Sequence, residues 1–309
     1  MADLKGKDIL RADQFTRDEV ELIIKTAQKF EDSLNKGRML DNCRGLILAT
    51  LFFEPSTRTR LSFETAMLRL GGQVITVADP QSSSVAKGES LHDTIKTVEN
   101  YADVIVLRHP KIGAAAEAAA ATERPVINAG DGAGQHPTQS LLDVYTILKE
   151  KGTIDGLTIA CVGDLKYGRT VHSLAELLSL YKVRLIFVSP ISLRMPAELI
   201  NKLKEKGVPT EETEDLKEAL KKSDVLYMTR IQKERFADQT EYERLKGVYI
   251  LTRSMLKNAK KGIIIMHPLP RVNEIATDVD SYEGAAYFRQ VANGVPVRMA
   301  LLALVTGRI

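Results

Sequence analysis

The chain has 309 residues, which at about 150 residues per domain predicts two domains. Hydrophobic residues make up 44% and charged residues 27%, close to globular averages, so the composition excludes a disordered or fibrous chain. The 43 basic and 40 acidic residues leave a net charge of +3, too small and too evenly spread to indicate a nucleic-acid-binding protein. No apolar run approaches the roughly 18 residues of a membrane span, and the N-terminal MADLKGKDIL has no apolar signal core. We therefore expect a cytoplasmic protein with no membrane or nucleic-acid partner.

The sequence lacks the motifs of the common metal, nucleotide and nucleophile sites. Cys43 and Cys161 lie far apart with no CxxC pattern, so we expect two buried thiols rather than a disulfide or a zinc site. None of the five histidines belongs to an HExxH motif, and neither GxxxxGK[ST] nor GxSxG occurs. Gly163 and Gly168 stand in a turn that lacks the GxGxxG spacing of dinucleotide sites. No metal ion and no cofactor is expected.

Apolar runs of strand length alternate with amphipathic stretches along the chain. The predicted strands are 46–53, 74–77, 103–107, 125–128, 157–162, 184–188, 224–228 and 262–266. The predicted helices are 57–70, 89–101, 113–121, 137–149, 170–180, 196–206, 213–221 and an apolar closing helix near 297–305. Short, nearly continuous apolar strands separated by helices predict parallel sheets that are buried on both faces.

These elements predict an α/β fold of two domains, each a parallel β-sheet flanked by helices. The first domain is expected over 1–134 and the second over 135–284, with the helix after Pro137 as the bridge. The C-terminal segment 285–309 ends in a helix that no strand follows. We expect this helix to pack back on the first domain.

Ligands of open parallel α/β sheets bind beyond the carboxyl ends of the strands. The segments that follow the predicted strands with polar side chains are 54–60, 108–110, 136–139, 163–169, 229–232 and 267–271. Together they carry arginines, histidines and several hydroxyls, whereas acidic residues are scarce among them. This composition predicts a site for an anion.

The Ser56-Thr57-Arg58-Thr59 segment is the most specific of these. It opens a predicted helix, and a helix N-terminus offers backbone N–H groups and a partial positive charge to a phosphate. Arg58 adds a charged fork. The alternative is ordinary capping by Ser56 with a solvated Arg58. Capping needs one hydroxyl and this turn has three, so the sequence favours a phosphate site.

The other basic residues at strand ends have structural alternatives that the residues alone leave open. Arg169 is either a ligand for an anion or a surface residue that begins a helix. His136 precedes Pro137, a favoured first helical residue, so a structural cap is the alternative to a functional role. His267 stands in an HPLP segment, where it is either part of a site or a residue that only shapes a turn around two prolines.

The motifs, in chain order, are FFEPSTRTRLSFE, SSSVAKGE, RHP, GDGAGQHPTQ, GDLKYGR, YMTRIQKERF and HPLPRVNEIA. Over essentially the whole chain this series resembles the aspartate carbamoyltransferase family within the carbamoyltransferase superfamily. STRT and HPTQ are shared with ornithine enzymes, whereas TRIQKER and HPLP distinguish the aspartate enzymes. The resemblance implies transfer of a carbamoyl group from carbamoyl phosphate to L-aspartate, a step of pyrimidine synthesis.

The resemblance also implies roles for the residues that bind carbamoyl phosphate. The phosphate is expected against the STRT segment and one further arginine: Ser56, Thr57, Arg58, Thr59 and Arg108. Thr59, Arg108 and His136 are expected to donate to the carbonyl oxygen as the tetrahedral intermediate develops. Gln139 and the backbone carbonyls of Leu269 and Pro270 are expected to accept from the carbamoyl NH2 group.

For aspartate, the resemblance implies that Arg169 binds the α-carboxylate and that Arg230 and Gln232 bind the β-carboxylate. Ser83 and Lys87 are expected to come from a loop of the neighbouring subunit, so the implied unit is a homotrimer with shared sites. From its residues alone, that loop is equally well a solvated linker. The resemblance leaves open whether regulatory chains bind the trimer.

Two other functions remain as alternatives. One is a transcarbamoylase for ornithine or a related amine, which is disfavoured because Arg230 and Gln232 suit a second carboxylate. The other is a catalytically inactive paralogue that acts as a scaffold, which is disfavoured because each matched site position is intact.

Overall fold

The computed structural model describes residues 2–79, 84–231 and 239–309. The chain divides into two compact units. Unit 1 comprises Met1–Leu142 and Asn293–Ile309, and unit 2 comprises Asp143–Ala292. Both divisions fall inside helices, somewhat further along the chain than the predicted boundaries at 134 and 284. The sequence has no loop composition at these points because the helices continue through them.

Unit 1 is built on a parallel sheet of four strands in the order β2-β1-β3-β4. The strands are β1 (Ile47–Phe52), β2 (Gln73–Val77), β3 (Val104–His109) and β4 (Val126–Asp131). The helices that begin in this unit are α1 (Arg17–Asn35), α2 (Thr57–Arg69), α3 (Leu91–Val98), α4 (Ala114–Ala120) and α5 (Pro137–Lys151). Leu48 of β1 stands opposite both Val74 and Val104 in the ladder. Strands β3 and β4 are buried almost throughout, which explains the apolar run 104–107 of β3.

Unit 2 contains a parallel sheet of five strands in the order β7-β6-β5-β8-β9. The strands are β5 (Thr158–Val162), β6 (Arg184–Val188), β7 (Thr210–Thr213), β8 (Val225–Met228) and β9 (Ile264–Met266). The helices after α5 are α6 (Arg169–Leu178), α7 (Ala197–Glu205), α8 (Leu216–Lys222), α9 (Gln239–Leu245) and the closing α10 (Tyr287–Val305). Central strand β5 pairs with β6 on one side and β8 on the other. The predicted class, two parallel sheets flanked by helices, is confirmed.

The C-terminal part of α10 packs within unit 1, as the sequence predicts. The amide of Gly6 donates to the carbonyl of Val305 over 2.8 Å. The Arg298 guanidinium lies over the Phe63 ring of α2 at 4.9 Å from its centroid. Residues 299–303 are fully buried, so the apolar sequence of this helix is explained by packing. Among the residues that the structure describes, no helix is long and apolar enough to cross a membrane.

Helix α1 and strand β7 are absent from the predicted elements. Helix α1 carries a capping box in which the Thr16 hydroxyl accepts from the Glu19 amide and the Glu19 carboxylate accepts from the Thr16 amide. The T-x-x-E pattern of a capping box is a sequence signature of a helix N-terminus, and it could have predicted the start of α1. Strand β7 has the sequence TEET and lies at the edge of its sheet, so it lacks the apolar run from which the other strands are predicted.

Candidate active site

The STRT segment forms the N-terminal turn of α2. The Ser56 hydroxyl accepts a hydrogen bond from the Thr59 amide over 3.4 Å. Ser56 therefore caps the helix, as the structural alternative proposed for it. Thr57 and Arg58 are exposed and Thr59 is buried. The first amides of a helix have no acceptor within the helix. Partial burial lowers the pKa of Arg58, but a guanidinium stays charged at neutral pH. The turn therefore presents positive charge and donors beyond what capping uses.

Arg108, at the end of β3, is buried beside this turn. Its Nη1 donates to the carbonyl of Ala129 over 3.2 Å, and its Nη2 donates to Glu54 Oε1 over 2.5 Å. Glu54 immediately precedes the PSTRT segment, so the salt bridge joins Arg108 to the segment that opens α2. Glu54 is a site residue that the sequence analysis did not single out.

The loop before α5 places His136 and Gln139. His136 is 4% exposed, and its carbonyl accepts from the amide of Gln139 over 3.0 Å, which caps the helix through backbone. Asp131 holds the loop, because Oδ1 accepts from the Gln135 amide over 2.7 Å and Oδ2 from the Gly113 amide over 2.9 Å. His136 and Gln139 are thus fixed at the N-terminus of a 15-residue helix, where the partial positive charge favours a negative ligand atom.

In unit 2, the segments that follow β5 and β8 lie side by side because those strands are paired. The Thr229 hydroxyl donates to the carbonyl of Val162 over 2.9 Å, and a Cβ at Gly163 would approach the Thr229 carbonyl to 2.4 Å. The contact therefore requires glycine at position 163. Arg169 begins α6 and Arg230 follows Thr229, and both are half-buried.

Arg230 lines a small cavity of about 30 Å³ in unit 2. Its walls also include Lys246, Asn273 and Glu274. A volume of this size holds about one water molecule. Gln232, the expected second ligand of the β-carboxylate, lies outside the described residues.

The HPLP segment follows β9. Leu269 has φ of +56°, in the left-handed region that few non-glycine residues adopt. Its amide donates to His267 Nδ1 over 2.7 Å, and His267 Nε2 lies 2.7 Å from Glu274 Oε1. Glu274 is a second residue that the sequence analysis did not single out. Lys87 is exposed at the end of a 3₁₀ turn, Ser84–Lys87, and Ser83 lies outside the described residues.

Both halves of the chain match family models. Residues 7–149 match the aspartate/ornithine carbamoyltransferase carbamoyl-P binding domain, and residues 155–305 match the Asp/Orn binding domain of the same family. The chain belongs to the aspartate/ornithine carbamoyltransferase family. The resemblance seen in the sequence motifs is confirmed.

Individual members of this carbamoyltransferase family are similar over the full chain. The aspartate carbamoyltransferase catalytic subunit of Thermococcus kodakarensis is 59% identical over 305 residues, which cover 99% of this chain and 98% of that protein. The catalytic subunit of M. jannaschii aspartate transcarbamoylase has a TM-score of 0.90 at 56% identity, and the match covers 96% of this chain and 97% of that chain. The Trypanosoma cruzi aspartate transcarbamoylase in complex with carbamoyl phosphate and aspartate has a TM-score of 0.94 at 44% identity, covering 98% and 97%.

We expect two neighbouring arginines of α2, Arg58 and Arg60, to differ in their contribution to phosphate binding. Arg58→Ala should weaken the binding of inorganic phosphate by about tenfold or more, since a hydrogen bond to a charged group contributes ~1.5–3 kcal/mol. Arg60 is the matched control because its Nη1 pairs with Glu64 Oε1 at 3.6 Å within α2. Titration calorimetry with phosphate measures both variants. Equal affinities for Arg58→Ala and Arg60→Ala would contradict the assignment of the turn as a phosphate site.

Proposed function

We propose that this carbamoyltransferase transfers the carbamoyl group of carbamoyl phosphate to the amine of L-aspartate. The products are N-carbamoyl-L-aspartate and phosphate, and the reaction serves pyrimidine biosynthesis. The observation that carries the proposal is the 59% identity over 305 residues to a protein named aspartate carbamoyltransferase catalytic subunit. The arginines after β5 and β8 agree with it, since two carboxylates need two cationic partners.

Carbamoyl phosphate is held at the strand ends of unit 1. Its phosphate is bound by the first turn of α2, through Ser56, Thr57, Arg58 and Thr59, and by Arg108. The helix N-terminus, the hydroxyls and the guanidinium forks all favour a phosphate dianion. When the phosphate binds Arg108, it replaces the Glu54 carboxylate as an acceptor for Nη2.

The carbonyl oxygen of the substrate is polarised by Thr59, Arg108 and His136. These groups donate to the oxygen, and their bonds strengthen as negative charge develops in the tetrahedral intermediate. Gln139 and the carbonyls of Leu269 and Pro270 accept from the carbamoyl NH2 group. Together these contacts fix the carbonyl plane, so that the amine attacks one face.

Aspartate is bound by arginines of unit 2. Arg169 pairs with the α-carboxylate, and Arg230 with Gln232 pairs with the β-carboxylate. Arginine suits both roles because its planar fork meets a carboxylate bidentately. The amine of aspartate attacks the carbonyl carbon, the C–O bond to phosphate breaks, and the departing phosphate takes the amine's proton. The protein contributes orientation and electrostatics to this step.

The choice of amine is tested at Arg230. The wild-type protein should release phosphate from carbamoyl phosphate with aspartate and much more slowly with ornithine. Arg230→Ala should reduce kcat/KM for aspartate by roughly a hundredfold, since a charged, bidentate contact is lost. Its affinity for carbamoyl phosphate should stay near that of the wild type, because the phosphate-binding residues are in unit 1.

A coupled phosphate-release assay measures these rates. If ornithine were the better amine for the wild type, the ornithine alternative would hold. If no amine were turned over by a folded protein that binds carbamoyl phosphate, the scaffold alternative would hold. Aspartate kinetics unchanged by Arg230→Ala would remove this arginine from the site.

We also propose that the active form is a homotrimer in which Ser83 and Lys87 act in the neighbouring subunit's site. Strand β2 is an edge strand of its sheet, and its Ile75 is 39% exposed. On α2, Leu61 and Leu68 are 48% and 61% exposed. An open sheet edge with apolar side chains around it is the kind of surface that another copy covers. Lys87 is itself exposed, as a residue that reaches a neighbour must be.

Shared sites predict complementation between two inactive variants. Lys87→Ala and Arg58→Ala homotrimers should each be nearly inactive. In a closed ring of three, every trimer that contains both kinds of chain has one interface where wild-type Arg58 meets wild-type Lys87. Unfolding an equal mixture and reassembling it should therefore restore roughly one quarter of the wild-type sites. Were both residues supplied by one chain, mixing would give no gain in activity over the separate variants.

The remaining proposals concern partners and compartment. The relatives are named catalytic subunits, which supports regulatory chains as possible partners of the trimer. Cys43 and Cys161 are free and buried, and burial raises the pKa of these thiols to about 11 and about 12. Free thiols suit the reducing cytoplasm in which we place the protein.

A further inference from the structure

The HPLP segment after β9 is held by side chains that the roles above do not use. Leu269 and Pro270 contribute only backbone carbonyls to the proposed site, so something else must fix where those carbonyls lie. His267 is 1% exposed and Glu274 is 5% exposed. His267 is bonded to the Leu269 amide within the segment, and Glu274 is bonded to the Val272 amide just after it. Both residues belong to unit 2.

The hydrogen bonds of His267 determine its protonation state. A backbone amide can only donate, so the 2.7 Å contact from the Leu269 amide makes Nδ1 an acceptor. The ring proton is then on Nε2, which donates to Glu274 Oε1 over 2.7 Å. His267 is therefore a neutral imidazole beside a carboxylate, and the pair is a charge-assisted hydrogen bond.

Glu274 is fixed in turn by backbone donors. Its Oε2 accepts from the amides of Val272 and Asn273, each over 3.1 Å. Burial raises the pKa of Glu274, but its interaction with His267 and its hydrogen bonds from backbone amides, that of Val272 among them, lower the pKa by more, so that the net change is downward. Glu274 is thus a stable anion at neutral pH, and it holds the imidazole from the side opposite Leu269.

The two ends of the segment are anchored separately. The His267 amide donates to Gln290 Oε1 over 2.9 Å, and Gln290 Nε2 donates to Asp143 Oδ1 over 2.6 Å. After Pro270, Arg271 Nη2 donates to Asp280 Oδ2 over 2.6 Å, and its guanidinium lies over the Tyr287 ring. Between these anchors, the bond from the Leu269 amide to His267 Nδ1 restrains a residue with φ of +56°.

We propose that His267 is a positioning residue, whose Nδ1 fixes the backbone of Leu269 so that the Leu269 and Pro270 carbonyls accept from the carbamoyl NH2 group. The inference rests on the proposed function, since it assigns a purpose to the carbonyls named there. A residue that only shaped a turn would affect stability alone. A positioning residue affects ligands that carry the NH2 group and spares those that do not.

Two variants separate the hydrogen bonds of His267. His267→Asn keeps an acceptor for the Leu269 amide, because an Asn side chain bonds the backbone two residues on, but it loses the contact to Glu274. His267→Gln places a donor near Glu274 and has no acceptor at the position of Nδ1. Tyr282→Phe is the matched control, since it removes one hydrogen bond, to the Ile263 carbonyl over 3.1 Å, in the same unit.

Titration calorimetry then measures the affinity of each protein for two ligands, carbamoyl phosphate and inorganic phosphate. His267→Gln should bind carbamoyl phosphate about tenfold more weakly, as expected for the loss of one or two hydrogen bonds, and should bind inorganic phosphate like the wild type. His267→Asn should bind both ligands like the wild type, although its Tm should be lower because Glu274 loses a partner. Tyr282→Phe should leave both affinities unchanged.

Wild-type affinity of His267→Gln for carbamoyl phosphate would overturn the inference. A loss that is equal for the two ligands, or equal in the Asn and Gln variants, would overturn it as well. Should His267→Asn fail to fold, the comparison of His267→Gln with Tyr282→Phe decides the matter. Because these measurements need no amine, a failure of aspartate turnover in the wild-type protein would count against the proposed function and not against this assignment.

Discussion

The parallel pairing of neighbouring strands is the constraint on which the rest of the structure depends. In unit 1, β1, β3 and β4 are adjacent and run in one direction. Their carboxyl ends therefore meet at one edge, where the chain turns into helices whose N-termini face the same way. The first turn of α2, the guanidinium of Arg108 and the loop that ends at His136 are brought to that edge by backbone geometry. Strand direction therefore gathers the donors of the proposed phosphate site at one edge of the sheet.

In each unit, carboxylates pair with basic side chains that lie at or after the ends of the strands. Arg108 is bound to Glu54, His267 to Glu274 and Arg271 to Asp280. A buried charge without a partner is costly, so Glu54 stabilises the buried guanidinium of Arg108. His267 is neutral, and it stabilises the buried carboxylate of Glu274. These pairs also explain why acidic residues lie near the basic side chains that are proposed to bind anions. In the proposed reaction the substrate phosphate replaces Glu54 at Arg108, whereas Glu274 stays with His267.

Much of this arrangement was predictable from the sequence, and the exceptions have physical causes. Strands such as β5 are apolar on both faces, so their position and the polar residues that follow them could be recognised. Strand β7 could not, because TEET lies at an edge and buries little. The STRT turn was found through local helix chemistry. The salt bridge between Glu54 and Arg108 was missed because it joins residues that are 54 positions apart, and only the register of β1 and β3 brings them together. The pairing of His267 with Glu274 was missed because the path of a loop does not follow from hydrophobic pattern.

In the proposed mechanism, donors at the strand ends stabilise charge on the carbonyl oxygen, and the departing phosphate takes the proton of the amine. The most direct measurement is on His136→Ala, with kcat, the carbamoyl phosphate dissociation constant and Tm determined on one preparation. We predict a fall in kcat of about a hundredfold or more, with the dissociation constant changed by less than about tenfold, because the donor's contribution grows as the oxyanion forms. A lower Tm with a normal kcat would mean that His136 only caps α5, and it would contradict a role for His136 in stabilising the oxyanion.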